Sequence, residues 1–108
     1  MQHRRFYVIS LSVDDTELAS TGGDLVVAKR PENPTLDWEL VHQTSEDVHL
    51  EPAPCRLEIG TPDGDFSGPA ILVRTDGRSH VFRGAGDLVG FDGFEGDDER
   101  DKSGPESE

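Results

Sequence analysis

Once the segments that alternate like strands are set aside, no connection left in this chain is long enough for a helix to cross over a sheet. Gly22-Gly23, Pro31, Pro34, Pro52, Pro54, Pro62, Gly64, Gly77, Gly84 and Gly86 punctuate it from residue 22 to residue 86. Parallel strands need a crossover connection of roughly a dozen residues or more, usually an α-helix. A chain cut this finely is left with antiparallel strands joined by short turns.

Between the turns, apolar residues alternate with polar ones, the pattern of a strand with one buried face. Residues 6–13 read as a first strand, with Tyr7, Ile9, Leu11 and Val13 on one face and Ser10 and Ser12 on the other. Residues 14–20 read as one short helical turn. Asp14 is a cap, Glu17 completes a capping box three residues on, and Gly22-Gly23 stop it. Residues 25–30 form a second strand, and the loop from Pro31 to Pro34 is closed to helix and ladder alike. Residues 36–42 form a third, with Leu36, Trp38, Leu40 and His42 inward and Asp37 and Glu39 outward. Residues 48–50 return as a short fourth strand.

The second half is a meander. Residues 55–59 place Cys55, Leu57 and Ile59 inward. Residues 61–64 make a turn in which Pro62 presets φ and Gly64 takes the positive-φ position. Residues 70–74 and 79–83 flank Asp76-Gly77, a strong hairpin signal. Residues 84–87 turn again, and residues 88–91 end the series. Seven or eight short strands over residues 1–91 predict an all-β domain, a small antiparallel barrel or sandwich.

Leu, Ile, Val and Phe make up 26 of the 108 residues. That is above the roughly 20% below which a charged chain is usually disordered, but it supports only a small core. The net charge is −13, from 23 acids and 10 bases. Residues 92–108 hold 8 of the acids, 2 of the bases and one apolar residue, Phe94. They read as a disordered acidic tail.

Such a balance opposes binding to nucleic-acid phosphates, which takes clustered Lys and Arg. It serves solubility, or a protein partner with a basic surface. One cysteine, Cys55, rules out an internal disulfide and a thiolate-rich metal site. No apolar run reaches the roughly 18 residues of a membrane helix. His3, Arg4 and Arg5 precede the apolar run, as in a secretory leader. Ser10 and Ser12 dilute that run and Asp14-Asp15 end it, so we expect a strand and a cytoplasmic protein.

Few constellations carry chemistry. Asp63, Asp65 and Ser67, with Gly68, match the first half of a calcium loop, but the position that should hold a bidentate Glu is Arg74. These three are the metal candidates, and turn chemistry explains them better. His42 and His49, on neighbouring expected strands, would need Cys55 or an acid to hold zinc, and their spacing fits no compact zinc pattern. His3 and His80 add nothing to it. The glycines at 84, 86 and 90 miss the dinucleotide fingerprint and lack its helix. Ser67 is not in a nucleophile elbow, and Cys55 on an inward face is a small hydrophobe.

We therefore expect a non-enzymatic protein-interaction domain, with no catalytic residue and no cofactor implied. Tail acids such as Asp97, Asp98 and Glu99 would steer a basic partner, and Asp37 or Glu39 could lie in the contact. The alternatives are a small-ligand barrel with Tyr7, Trp38, Leu40, His42 and Phe82 inside, or a calcium or zinc site on the loops. The oligomeric state is not legible in the sequence.

Overall fold

The structure is a computed structural model and describes residues 2–32, 36–91 and 93. Among the described residues there are eight strands and no helix. They are β1 (Gln2–Tyr7), β2 (Ser10–Val13), β3 (Thr16–Leu18), β4 (Ser20–Lys29), β5 (Asp37–Thr44), β6 (Pro54–Thr61), β7 (Gly64–Asp76) and β8 (Ser79–Gly84). All belong to one antiparallel sheet, ordered β1-β4-β5-β8-β7-β6-β2-β3. The acidic segment expected to be disordered lies outside the described residues, except Gly93.

The order contains its own constraint. β1 stands at one end of the sheet and β2 next to the other end, yet only Val8 and Ile9 separate them. Three peptide steps span at most about 11 Å. In a flat sheet the two strands would be six spacings apart, about 29 Å at about 4.8 Å each. The sheet therefore has to curl. The hydrogen bonds show the hand-over: Val8 N donates to Gly23 O at 2.9 Å, continuing the ladder with β4. Ile9 N donates to Gly60 O at 2.8 Å, beginning the ladder with β6. The Phe6 ring on β1 meets Phe66 on β7, with centroids 4.7 Å apart. The curl stops short of a closed barrel, since β1 pairs only with β4 and β3 only with β2.

This hand-over corrects the reading of the first strand. Phe6 and Val8 are buried, whereas Tyr7 and Ile9 are 56% and 54% exposed. The alternation then slips by one residue, so Leu11 is buried and Val13 packs at the core margin. A uniform strand from 6 to 13 would have put Tyr7 inside.

The helical turn expected at 14–20 is absent. Asp14 and Asp15, at φ 49° and 71°, form the two-residue loop between β2 and β3. Positive φ at both positions defines a type I′ hairpin turn, whose twist matches that of the flanking strands. Asp14 does not cap. Its Oδ1 accepts from Arg56 N at 2.8 Å, and its own N donates to Arg56 O at 2.9 Å, extending the β2–β6 ladder. Gly22-Gly23, expected as a stop, lie inside β4 beside a bulge at Ser20 and Gly22.

Two other expected strands fall short. Residues 48–50 form no ladder and are held through Val48 N donating to Gly77 O at 2.9 Å. Residues 88–91 contribute one bridge, from Val89 to Ser67. The strand expected at 70–74 is longer than its apolar run, because β7 begins at Gly64 directly after the turn at Pro62 and Asp63.

One core cluster fills the curl, from Phe6, Leu11 and Leu25 to Ile59, Leu72 and Phe82. Trp38 closes one side. Its Nε1 donates to Gly86 O at 2.8 Å, and its ring lies so near Gly84 that an added Cβ would fall 2.3 Å from it. Gly84→Ala should therefore cost about 1–3 kcal/mol through overpacking. Urea unfolding followed by Trp38 fluorescence reads this, and a loss below about 0.5 kcal/mol would contradict the packing. Asp15→Gly should act oppositely. A non-Gly residue at positive φ carries roughly 1 kcal/mol of strain, so the same assay should show a gain of about 0.5–1 kcal/mol.

Candidate functional site

Two features carry chemistry: a buried histidine pair inside the curl and an uncompensated acidic surface outside it. His42 on β5 and His80 on β8 stand directly opposite each other, both fully buried. Alternation explains their place, because each lies two residues from a buried Leu40 or Phe82. Buried imidazoles need partners, and hydroxyls from neighbouring strands supply them. Ser20 Oγ lies 2.7 Å from His42 Nε2 and donates to Leu18 O at 3.3 Å. Its oxygen is thus free to accept the Nε2 proton. Thr75 Oγ1 lies 2.8 Å from His80 Nδ1, and Thr44 Oγ1, which donates to Glu46 O at 2.6 Å, lies 3.5 Å from His80 Nε2.

This network assigns the Nε2–H tautomer to both rings. It leaves His42 Nδ1 as a buried atom without a hydrogen-bond partner. Burial, and then the adjacent His80, push the His42 pKa down to about 4, and burial lowers that of His80. The Ser20–His42 contact has the distance of a nucleophile and its base, but a triad base is oriented by a hydrogen bond to its second nitrogen. Here that nitrogen has none, and the ring is sealed from solvent. The pair is packed into the interior of the sheet, without the orienting bond of a triad.

On the outer surface, charge is segregated. Residues 10–18 and 54–68 hold six acids, Asp14, Asp15, Glu17, Glu58, Asp63 and Asp65, against one base, Arg56. Register lines up Glu17, Ser12, Glu58 and Ser67 as one row across β3, β2, β6 and β7. With Ser10 and Asp65 they border an open groove of about 440 Å³. Among the described residues Glu17, Glu58 and Asp65 make no ion pair. The bases sit mainly on the other half, where four are matched: Arg5 with Asp24 at 3.0 Å, Arg78 with Asp47 at 3.3 Å, Arg30 with Asp37 at 3.5 Å, and Arg83 with Glu39 at 4.0 Å.

The residues singled out by the sequence scatter over this frame. Asp63 is in the β6–β7 turn, while Asp65 and Ser67 lie on the β7 strand itself, not in a loop. Among the described residues no group of three His, Cys, Asp or Glu side chains could hold a metal ion. His42 and His49 do not face each other. His42 is buried, and exposed His49 bonds Glu51 Oε2 through Nε2 at 2.7 Å. Cys55 is half-buried, and its thiol pKa is raised by burial and by Asp14, so it stays protonated and inert at neutral pH. Trp38, Leu40, His42 and Phe82 do line the interior, but Tyr7 does not. A crevice of about 180 Å³ lies between Val13, Leu50, Cys55 and Phe82, and an open one of about 530 Å³ is bordered by Val26, Trp38, Glu39 and Arg83. Asp37 and Glu39 are exposed on the outer face, as expected.

Sequence reasoning missed the histidine pair. His42 was legible as inward, but its partner depends on the β5–β8 pairing. Comparison with family models, curated proteins and solved structures finds no match to this chain.

The histidines make stability depend on pH. Their folded pKa values lie below the unfolded value of about 6.5, so the unfolded chain binds more protons as pH falls. Their contribution is therefore complete above about pH 6.5 and lost as pH falls, that of His42 through about 4. Between pH 6.5 and 5, above the carboxylate range, unfolding free energy should drop by up to about 1.4 kcal/mol per pH unit from His42. His42→Leu should flatten that slope in urea titrations. A slope unchanged by the substitution would show that His42 is not the titrating group.

Proposed function

We propose that this chain is a non-enzymatic protein-interaction domain, working in the cytoplasm, whose partner presents a basic surface. The observation that carries the reading is the separation of charge. Acids on β3, β6 and the start of β7 have one base, Arg56, among them and make no ion pair among the described residues, while those of β4 and β5 are matched by arginines. Matched surface pairs contribute little, roughly 0–1 kcal/mol each, but they cancel the local field. The unmatched half keeps its field and attracts cations over about 8 Å at physiological salt. The same field repels phosphate backbones, which argues against nucleic acid. Among the described residues no helix is long and apolar enough to cross a membrane. The acids of residues 92–108, among them Asp97, Asp98 and Glu99, add to the attraction on approach.

The test is capture from the native lysate with wild type and with the Glu58→Lys/Asp65→Lys variant as bait, followed by kinetics on the protein recovered. A basic partner should be held by wild type and lost by the variant. Its association with wild type should slow by roughly tenfold or more between low and high salt, with dissociation changing less. Reversing Asp97, Asp98 and Glu99 to Lys should lower the association rate alone. A partner retained equally by the variant, or binding that ignores salt, would defeat this reading.

A further inference from the structure

We propose that the outer face of β4, β5, β8 and β7 is a self-recognition surface. On it a second copy of this chain packs face to face about a two-fold axis running along the strands between β5 and β8. The inference goes beyond the acidic half, from which this face is distinct.

The argument lies in the register. Two rows of outward side chains cross these four strands. In the first, Val26 stands beside Glu39, Glu39 beside Arg83 and Arg83 beside Ile71. In the second, Asp24 stands beside Val41, Val41 beside Val81 and Val81 beside Arg74. The bulge between Leu72 and Arg74 is what brings both Ile71 and Arg74 to the outer face. The rows thus read apolar, acid, base, apolar and acid, apolar, apolar, base.

A two-fold axis between the middle strands, lying in the interface plane, reverses the order of strands and keeps the rows. It sets Glu39 against the second copy's Arg83 and Val41 against its Val81. Further out, where the curl carries β4 and β7 back from the contact plane, Val26 lies on the side of Ile71 and Asp24 on the side of Arg74. Every acid meets a base and every apolar side chain an apolar one, which is the self-complementarity a two-fold contact demands.

Exposure agrees. Ile71 and Val73 are 42% and 51% exposed, large apolar residues open to water on this face. Within one molecule, Arg83 reaches Glu39 only at 4.0 Å, and among the described residues Arg74 has no ion pair. The four charges of the patch cancel, so the net charge of −13 does not forbid contact here. The unmatched acids are on the other half.

Four strands about 4.8 Å apart and two or three rows about 6.8 Å apart give only several hundred Å² per partner. At roughly 250–400 Å² per partner this is below the standard specific interface and in the range of a weak, transient contact. Association is therefore expected in the micromolar range or weaker. Stacked sheets cross at about 30°, so the contacts nearest the axis, Glu39 with Arg83, are the ones least displaced and the ones to test.

The experiment is sedimentation equilibrium on the full chain from micromolar to millimolar concentration. Wild type should pass from monomer to dimer. Glu39→Arg and Arg83→Glu, each alone, place like charges across the axis and should weaken self-association by roughly tenfold or more. Mixed in equal amounts, the two variants should form a heterodimer of wild-type strength, because each acid again faces a base. Far-ultraviolet dichroism confirms that both are folded. If either is not, Val41→Lys and Val81→Glu repeat the design on the second row next to the axis, where no ion pair is broken. A wild type that stays monomeric at millimolar concentration overturns the proposal. So does a dimer that the single variants leave intact, or a mixture that stays monomeric. Glu58→Lys/Asp65→Lys touches only the acidic half, so it reports on the basic partner and not on this dimer.

Discussion

Val8 and Ile9 pass the first strand from one end of the sheet to the other, and their amides donate to different strands. A backbone of fixed reach then forces an eight-stranded sheet to curl. The curl gives a chain with few large apolar residues a single enclosed core, and it seats Phe6 against Phe66 and Phe91 against Phe6. Described residues at both ends of the chain meet at the same place. Arg4 Nη1 donates to Gly93 O at 3.0 Å, 89 positions away in sequence. Without the bend, the same strands would make a flat sheet with one face of its apolar residues in water.

The curl also sorts the polar groups. Its inner face buries His42, Thr44, Thr61 and His80 among apolar neighbours. Each hydroxyl spends its proton on a backbone carbonyl or an imidazole, so the interior stays neutral. Its outer face is divided by strand order. β4 and β5, paired to β1 and β8, place acids beside arginines. β3, β6 and the start of β7 place acids beside serines and glycine. The functional reading and the self-recognition surface both arise from that division, and each uses a different half.

Alternation was a sound guide wherever a strand ran straight. Residues 36–42 put Trp38, Leu40 and His42 inside and Asp37 and Glu39 outside, and the structure agrees. Residues 55–59 and 79–83 behave the same way. It failed at the bend, where one extra residue turned Tyr7 and Ile9 outward. It failed again at Asp14, whose spacing to Glu17 matches a capping box. The carboxylate instead takes the amide of Arg56, 42 positions away, an option that local spacing does not reveal. Asp63, Asp65 and Ser67 looked like a loop because glycines surround them, but β7 starts at Gly64 and carries Asp65 and Ser67.

The sequence alone determined the class of the protein and its charge. Turn spacing excluded crossovers, period-two patterning marked the inward faces, and composition limited the core and set the acidic balance. These follow from local geometry and from counting. Only the tertiary structure decided which strands are neighbours, and hence that His42 faces His80, that Glu39 faces Arg83, and that the unmatched acids share one half. Side-chain partners across a sheet depend on strand order and register. These are set by the whole core closing at once, with the chain bent at Val8 and Ile9, and no local pattern records them.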